Sequence, residues 1–297
     1  MITQNLLKSL YSKYIRKDKK YIIGDYKVLL PSNHLLPYYK SEHRLYDVFL
    51  GYLASCLPAN TYAIDVGANC GDTLALMASK NKEIDFLCIE ADEVFFSYLQ
   101  SNSNQIEHTT KKEILNVNSL AGTLEDKVIM KEVVPGTKRA VKANDNENGI
   151  TSKPLDEIIS DNITKKEFKI SLIKTDTDGY DYDVINSAQR YVDEFKPILF
   201  FECFFAYDWQ KDEYKKLIER IHASEYSNFY IFDNFGAYIF KTSCYLQIID
   251  FFEYNFDQSM NRTTKTIQYI DVVACTEADE LVVEDALEKF MRHTRYE

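Results

Sequence analysis

The fold is decided by residues 62–73, which read YAIDVGANCGDT. Ala63, Ile64 and Val66 are typical of a strand buried on both faces, and the apolar residues after the loop recur at helical spacing. A strand, a tight glycine turn and a helix form the first unit of a nucleotide-binding α/β sheet. The stretch therefore predicts such a sheet, with a ligand at the carboxyl ends of its strands.

The glycine loop indicates a small ligand with positive charge. Gly67 and Gly71 let the backbone approach a bound molecule, and the following helix offers unpaired N–H groups. Asp65 ends the strand, where its carboxylate would repel a pyrophosphate, and neither a dinucleotide fingerprint nor a Walker lysine is present. S-adenosylmethionine carries an α-ammonium and a sulfonium, so it fits better than NAD or ATP. The alternative for Asp65 is a cap on the next helix.

Length and charge limit the classes of function. The 297 residues suffice for one large α/β domain with appendages. The formal net charge of −11 argues against a nucleic-acid substrate, because phosphate binding needs a basic face. Aromatic residues make up 14% of the chain, which favours a large core and a cleft that faces a sugar.

The cysteines and the hydropathy predict a cytoplasmic protein. None of the six cysteines belongs to a C-x-x-C pair or to a metal-ligand spacing, as is typical of a reducing compartment. No apolar run is long enough to span a bilayer, and no signal-peptide pattern is present. Residues 1–20 predict a basic amphipathic helix. This helix would lie on an anionic membrane, or it would pack on its own subunit or on a neighbouring one. Packing on a neighbouring subunit would imply a homo-oligomer.

The chain divides into a cap and a catalytic domain. Residues 1–58 contain an N-terminal helix, a hairpin at 21–30 and a helix at 42–57, but no glycine loop, so they are expected to cap the cleft. Residues 59–297 are expected to form the S-adenosylmethionine-dependent domain. Residues 127–141 alternate around a Pro-Gly turn and predict a surface hairpin, and the polar stretch 143–152 predicts a lid or a plain connection.

A second predicted strand, residues 84–90, ends in Glu90. It follows the glycine loop by about 20 residues, where nucleotide-binding α/β folds place a carboxylate on the ribose hydroxyls. A solvated strand-end glutamate is the alternative. The third strand, residues 114–119, ends in Asn118 and Ser119, which would meet the adenine edge.

Acidic residues follow two later strands. Residues 170–180 read ISLIKTDTDGY and repeat the order of apolar strand, acids, glycine and helix. Asp176 and Asp178 are therefore expected to project toward the ligand crevice, together with Glu202 at the end of the next strand. Neighbouring carboxylates can provide a general base, or can hold a divalent cation with sugar hydroxyls. For at least one of these three carboxylates, the alternative is that it caps a helix or is solvated at the end of its strand.

With these stretches in place, the chain resembles the FkbM family of S-adenosylmethionine-dependent methyltransferases. The resembling pieces occur in the family's order and read AIDVGANCGDT at 63–73, PLDEII at 154–159, LIKTDTDGY at 172–180 and PILFFE at 197–202. HLLPY at 34–38 also looks like a piece seen in members from surface-glycan clusters. Two departures are Thr177-Asp178, where the family usually has an apolar residue and Glu, and Cys70, where an aliphatic residue is common.

The resemblance implies a Rossmann-like, seven-stranded α/β methyltransferase sheet whose last strand is antiparallel. It also implies methyl transfer to a hydroxyl oxygen. The expected function is O-methylation of a sugar or nucleotide sugar in the biosynthesis of a bacterial surface polysaccharide. The rival functions are an NAD(P)-dependent Rossmann oxidoreductase and a catalytically silent glycan-binding or scaffold protein.

The site residues follow from these stretches. The expected cofactor contacts are Asp65, Gly67, Ala68, Asn69, Gly71, Asp72, Thr73, Glu90, Ala91, Asn118, Ser119 and Asp176. The catalytic candidates are Asp176, then Asp178 and Glu202, with His34 from the cap. Asp176 would alternatively hold the methionine moiety. Positioning the acceptor oxygen in line with the departing sulfur supplies much of the rate. A divalent metal remains an open alternative.

Overall fold

A computed structural model describes residues 18–144, 147–261 and 267–296. A helix is predicted for residues 1–20, and its first 17 residues lie outside the described residues. Lys19 and Lys20 begin a strand. The strands in the described ranges are β1 Lys19–Ile23, β2 Tyr26–Leu30, β3 Tyr62–Val66, β4 Asp85–Glu90, β5 Ile114–Asn118, β6 Leu120–Ala121, β7 Val128–Val134, β8 Thr137–Lys142, β9 Ser152–Lys153, β10 Ile170–Thr175, β11 Ile198–Cys203, β12 Asn228–Asp233, β13 Tyr238–Thr242 and β14 Ile270–Cys275. The α-helices there are α1 Leu36–Glu42, α2 Val48–Cys56, α3 Asp72–Lys80, α4 Glu93–Thr110, α5 Leu155–Asn162, α6 Asp181–Asn186, α7 Gln189–Phe195, α8 Asp208–Ala223, α9 Tyr245–Asn261 and α10 Glu280–Tyr296.

The centre of the protein is an eight-stranded mixed sheet in the order β13-β12-β14-β11-β10-β3-β4-β5. The predicted α/β fold is confirmed, and so is the antiparallel last strand, since β14 runs antiparallel to both β11 and β12. The sheet has eight strands instead of the expected seven because β13 pairs antiparallel with β12 at the edge. Asp233 stabilises the intervening turn, where its Oδ1 accepts the N–H groups of Phe235 and Ala237 at 2.9 and 2.8 Å.

Helices cover the sheet on both faces. Every residue of β3, β4 and β10 is buried, as expected for strands without a solvent-facing side. One core contains Leu74 and Phe290, and the other contains Ile185 and Leu217. Each fully buried side chain of this kind contributes roughly 1.5–3 kcal/mol. These two cores hold the carboxyl ends of the parallel strands in fixed positions.

The N-terminal segment packs directly on the first core. The predicted hairpin is confirmed, with Ile23 opposite Tyr26. The single helix predicted for 42–57 is wrong, because the chain forms α1 and α2 with a break at residues 43–47. Tertiary contacts replace the helical turn there, since His43 packs 4.2 Å from the ring of Phe235 and Asp47 adopts a left-handed φ of 62°.

The second predicted hairpin is also confirmed. β7 and β8 pair antiparallel around a turn at Val134 and Thr137. The turn reaches the N-terminal segment, where the N–H of Leu35 donates to the carbonyl of Pro135 at 3.3 Å. The polar stretch 143–152 lies partly outside the described residues, and Ile150 forms a bridge to Val128. Across the described ranges, no helix combines the length and apolar character that a membrane crossing requires.

Candidate active site

A cavity of about 640 Å³ lies at the carboxyl ends of β3, β4, β10 and β11. This volume is within the range of about 300–1,000 Å³ that is typical of small-molecule sites. Most of the residues predicted from the sequence line its wall: His34, Gly67, Asn69, Asp72, Thr73, Glu90, Ala91, Ser119, Asp176, Asp178 and Glu202. The remaining four, Asp65, Ala68, Gly71 and Asn118, are not part of the wall.

Asp65 does not face the cavity as the sequence suggested. It is fully buried in β3, and its Oδ1 lies 2.9 Å from Nζ of Lys174 on the neighbouring β10. The Thr73 hydroxyl donates to its other oxygen at 2.5 Å. Burial by itself would lower the pKa of Lys174, but the carboxylates of Asp65 and Asp176 raise it, so the lysine stays charged. The charge of Asp65 is therefore compensated inside the sheet.

The glycine loop closes tightly against both neighbouring strands. Gly67 has a φ of +75°, and a Cβ there would lie 2.0 Å from the carbonyl oxygen of Asp176. The N–H groups of Gly67 and Ala68 both donate to the carbonyl of Ile89, at 2.9 and 3.0 Å. Gly71, with a φ of +82°, is the N-cap residue that precedes α3. Only glycine can occupy position 67, because any side chain there would collide with the backbone of Asp176. The backbone of the loop therefore lies directly beside the cavity.

Glu90 is held rigidly on the cavity wall. One of its carboxylate oxygens accepts the N–H of Asn69 and the other accepts the N–H of Asp92, both at 2.8 Å. Each oxygen retains capacity for a further hydrogen bond. Burial raises the pKa of Glu90 to about 7, against the lowering effect of the two backbone donors. A ligand with hydroxyl donors would meet an oriented carboxyl group here.

His34, Asn69 and the hairpin turn form a bridge over the glycine loop. The N–H of Leu36 donates to Nδ1 of His34 at 3.2 Å, which leaves the proton of a neutral imidazole on Nε2. Nε2 lies 3.1 Å from Oδ1 of Asn69, whose amide donates to the carbonyl of Gly136 at 2.9 Å. Burial lowers the pKa of His34. Both ring nitrogens have partners, so the observed role of His34 is to join the loop and the hairpin, and its catalytic role stays a prediction.

The wall beyond Glu90 is formed by Ala91 and Ser119. The N–H of Ser119 donates to the carbonyl of Glu90 at 3.2 Å, which places it beside the end of β4. The Asn118 side chain is exposed and donates to the carbonyls of Glu90 and Ala91, at 2.8 and 3.3 Å. Its adenine contact stays a prediction, and its observed role is to join the ends of β4 and β5.

The opposite half of the cavity is acidic. Asp176 is 48% exposed at its side chain, with Oδ2 3.7 Å from Nζ of Lys174. Asp178 lies 3.7 Å from the guanidinium of Arg139, and burial followed by the charge of Asp176 raises its pKa to about 7. Glu202 is 8% exposed, and its Oε2 has no hydrogen-bond partner among the described residues. Burial and the neighbouring Asp176 raise the pKa of Glu202 well above its usual value.

Several wall residues were not identified from the sequence, among them Lys174, Arg139 and Asp47. Lys174 could have been identified from the sequence, because a charge inside the apolar strand ISLIKT requires a buried partner. Arg139 lies on the hairpin, where alternation predicted only a surface position. Asp47 lies at the break between α1 and α2, and burial raises its pKa to about 6 although Lys40, 3.6 Å away, lowers it. Neither of the last two has a sequence motif.

Aromatic rings surround the acidic half. The cavity wall there includes Tyr38, Tyr39, Tyr46, Tyr180, Phe204, Phe235 and Tyr269. Arg139 stacks over the ring of Phe204 at 4.6 Å, which ties the hairpin to this side. Within the described residues, no group of three or more His, Cys, Asp or Glu side chains is arranged to hold a metal ion.

The fold and the cavity are those expected of a methyltransferase that uses S-adenosylmethionine, and the comparison with protein families shows that class. The sequence model of the Methyltransferase FkbM domain matches residues 65–228. Because this match spans more than half of the 297 residues, the chain belongs to the FkbM methyltransferase family. Membership in this family replaces the alternative of a dinucleotide-dependent oxidoreductase. A comparison with curated proteins finds no match.

Several solved structures are similar at low sequence identity. Methyltransferase FkbM from Methylobacillus flagellatus KT is 14% identical, with a TM-score of 0.38; the match covers 81% of this chain and 58% of that chain. The O-methyltransferase from Bacillus cereus in complex with SAH is 12% identical, with a TM-score of 0.43, over 81% of this chain and 88% of that one. Precorrin-6y C5,15-methyltransferase from Geobacter metallireducens GS-15 is 8% identical, with a TM-score of 0.39, over 78% and 88%.

Proposed function

We propose that the protein is an S-adenosylmethionine-dependent O-methyltransferase that acts on a sugar hydroxyl in the biosynthesis of a bacterial surface polysaccharide. The observation that carries this proposal is that one cavity joins two different halves. One half contains the glycine loop and the oriented Glu90, and the other contains three carboxyl groups among aromatic rings. Aromatic faces and carboxylates together suit a molecule with apolar C–H faces and many hydroxyls, such as a sugar.

The first half fits the cofactor. Glu90 would accept the two ribose hydroxyls, because its carboxylate oxygens are fixed but not saturated. Asp72 begins the helix that follows the glycine loop, and the backbone of Asp176 packs against Gly67, so these two wall carboxylates would receive the α-ammonium group. Asp65 supports this end indirectly, through Lys174 and the Thr73 hydroxyl. When bound, S-adenosylmethionine supplies an electrophilic methyl group.

The second half would position and deprotonate the acceptor. A general base works best when its pKa lies near the operating pH. Asp178 meets this condition, since its pKa is raised to about 7 and its side chain is 24% exposed. Asp178 therefore replaces Asp176 as the first candidate base, and Asp176, which is more exposed and whose backbone packs against Gly67, is assigned to the ammonium. Glu202 would accept a hydrogen bond from a further hydroxyl of the acceptor through its unpartnered oxygen.

Methyl transfer can be measured directly with labelled S-adenosylmethionine and a panel of sugars, oligosaccharides and nucleotide sugars. We expect label in at least one sugar, and expect Asp178→Asn to lower the rate of transfer by about 10²- to 10⁴-fold while cofactor affinity persists. Asp212→Asn is the matched control, because that carboxylate is 66% exposed and outside the cavity. Cofactor binding without transfer to any sugar would support the silent glycan-binding protein instead, and equal rates in both variants would contradict the role of Asp178.

The cellular location stays a proposal. All six cysteines lack a disulfide partner, and several are buried within the sheet, where they act as small apolar side chains. A cytoplasmic protein in a reducing compartment fits this arrangement. Fractionation of the native host with activity assays in the cytoplasmic and membrane fractions tests it.

A further inference from the structure

Two aromatic side chains are exposed just beyond the acidic half of the cavity. Tyr207 is 50% exposed and Trp209 is 49% exposed, and among the described residues Tyr254 is the one other large aromatic side chain that is exposed to this degree. Their ring planes are within 8° of parallel, with centroids 6.1 Å apart. The exposed carboxylate of Asp208 lies between them in the sequence. Exposed aromatic clusters of this kind commonly mark a binding surface.

A buried glutamine fixes this pair relative to the cavity. Oε1 of Gln210 accepts the N–H groups of Ala206 and Tyr207, at 2.7 and 3.0 Å. Its Nε2 donates to the carbonyl of Gly179 at 2.8 Å, and the side chain is 0% exposed. Trp209 also packs edge to face against Tyr182, with centroids 6.2 Å apart. The two rings are therefore held in place before any ligand binds, which lowers the entropic cost of binding.

Two short connections join this surface to the acceptor side of the cavity. Gly179 lies between two wall residues, Asp178 and Tyr180. Phe204, another wall residue, precedes Tyr207 by three positions in the same segment after β11. The exposed pair is therefore attached to the cavity wall by the segment 204–206 and by the hydrogen bond from Gln210 to Gly179.

The chemistry of the surface selects a neutral sugar unit. The face of a sugar ring carries C–H groups that pack on aromatic rings, and its edge carries hydroxyls that donate to a carboxylate such as Asp208. A phosphate group is disfavoured here, because the adjoining wall contains Asp176, Asp178 and Glu202, and the nearby Arg139 already faces Asp178.

We propose that Tyr207 and Trp209 form a second sugar-binding subsite, which holds a neighbouring unit of an oligosaccharide whose terminal or adjacent unit enters the cavity. The inference rests on the proposed function and narrows its substrate class, since it makes the acceptor a glycan chain and not a free monosaccharide. Two joined subsites bind a chain more tightly than either binds one unit, because the second contact becomes intramolecular.

Trp209 is the single tryptophan of the chain, so its fluorescence reports on this surface alone. The full-length protein, saturated with S-adenosylhomocysteine, is titrated with cellohexaose, laminarihexaose, maltohexaose and chitohexaose, and with the corresponding monosaccharides. We expect at least one hexasaccharide to shift the emission and to protect Trp209 from acrylamide, while its monosaccharide does not. Tyr207→Ala should weaken that binding about tenfold. The matched control is Tyr254→Ala, because Tyr254 on α9 is 53% exposed and absent from the cavity wall.

Other results would overturn the subsite. They are an unchanged emission with every hexasaccharide, equal protection by a monosaccharide, or equal effects of the two tyrosine substitutions. A spectral change with protein concentration in the absence of sugar, accompanied by dimers in sedimentation, would instead assign the surface to contacts between copies of the chain. The readout needs no turnover, so a protein that shows the Trp209 response without methyl transfer would refute the proposed function and retain the subsite.

Discussion

Nζ of Lys174 lies 2.9 Å from Oδ1 of Asp65 inside the central sheet, where the two side chains are 3% and 0% exposed. The pair follows from the register of β10 and β3, which places Lys174 directly opposite Asp65. It connects the glycine loop to the strand that supplies Asp176 and Asp178. The sequence suggested that the carboxylate of Asp65 contacts the ligand. In the structure this carboxylate instead stabilises the site from inside the sheet, through its pair with Lys174.

Breaking this pair should destabilise the protein. Asp65→Asn or Lys174→Met is expected to lower the free energy of unfolding by about 3–5 kcal/mol, because each leaves a buried charge without its partner. The double variant should lose less than the sum of the two losses, since no unpaired charge remains. Urea denaturation near neutral pH measures all three. Lys82→Met is the control, because its pair with Asp25 is exposed and should leave stability nearly unchanged. Strictly additive losses would contradict the pairing.

Glu90 should make cofactor affinity depend on pH. Its pKa of about 7 means that the ionised form, which we propose to accept the ribose hydroxyls, is lost as the pH falls through that value. Affinity for S-adenosylhomocysteine should therefore decrease below about pH 7, and approach a tenfold loss per pH unit well below it. Glu90→Gln should weaken binding roughly 10- to 100-fold near pH 8 and flatten the dependence. Calorimetry measures both effects. A variant with wild-type affinity and wild-type pH dependence would rule out the ribose role.

Asp178 should set the pH profile of methyl transfer. A carboxylate acts as a base only when ionised, so kcat/KM should rise with pH and level off above about 7, the pKa of Asp178. Asp178→Asn should lower kcat by about 10²- to 10⁴-fold with little change in cofactor affinity. Arg139→Met should move the midpoint to higher pH, because the guanidinium lowers the pKa of Asp178. A midpoint that does not move in Arg139→Met would argue against Asp178 as the titrating group.

Gly136→Ala should weaken cofactor binding by displacing the hairpin turn that supports the glycine loop. Gly136 has a φ of +94°, and a Cβ there would lie 2.9 Å from the ring of His34. The hairpin turn must then shift, which breaks the hydrogen bond from Asn69 to the Gly136 carbonyl. We expect about a tenfold loss of affinity for S-adenosylhomocysteine by calorimetry, the equivalent of one hydrogen bond. Lys142→Ala, on the same hairpin and 71% exposed at its side chain, is the control. Equal affinities for the two variants would show that the turn does not support the site.

The helix at 42–57 shows why part of the fold was mispredicted. Its apolar spacing is helical from residue 48 onward, but the five residues before it are shaped by distant contacts. The carbonyl of Leu45 packs so closely on Gly236 that a Cβ there would lie 2.1 Å away. Gly236 belongs to the turn between β12 and β13, nearly 200 residues along the chain. Local propensity cannot encode such a contact. The same contact also places Asp47 on the cavity wall.

The sequence by itself determined the strand, glycine and helix units and the carboxylates at the strand ends, because both depend on local backbone conformation and on alternating burial. It thereby located Gly67, Glu90, Asp176, Asp178 and Glu202 at one edge of the sheet. Only the tertiary structure decided which carboxylates face the cavity and which are neutralised inside the sheet. Which carboxylates face the cavity depends on strand register and on packing between segments far apart in the chain. Neither can be read from a single stretch of the sequence.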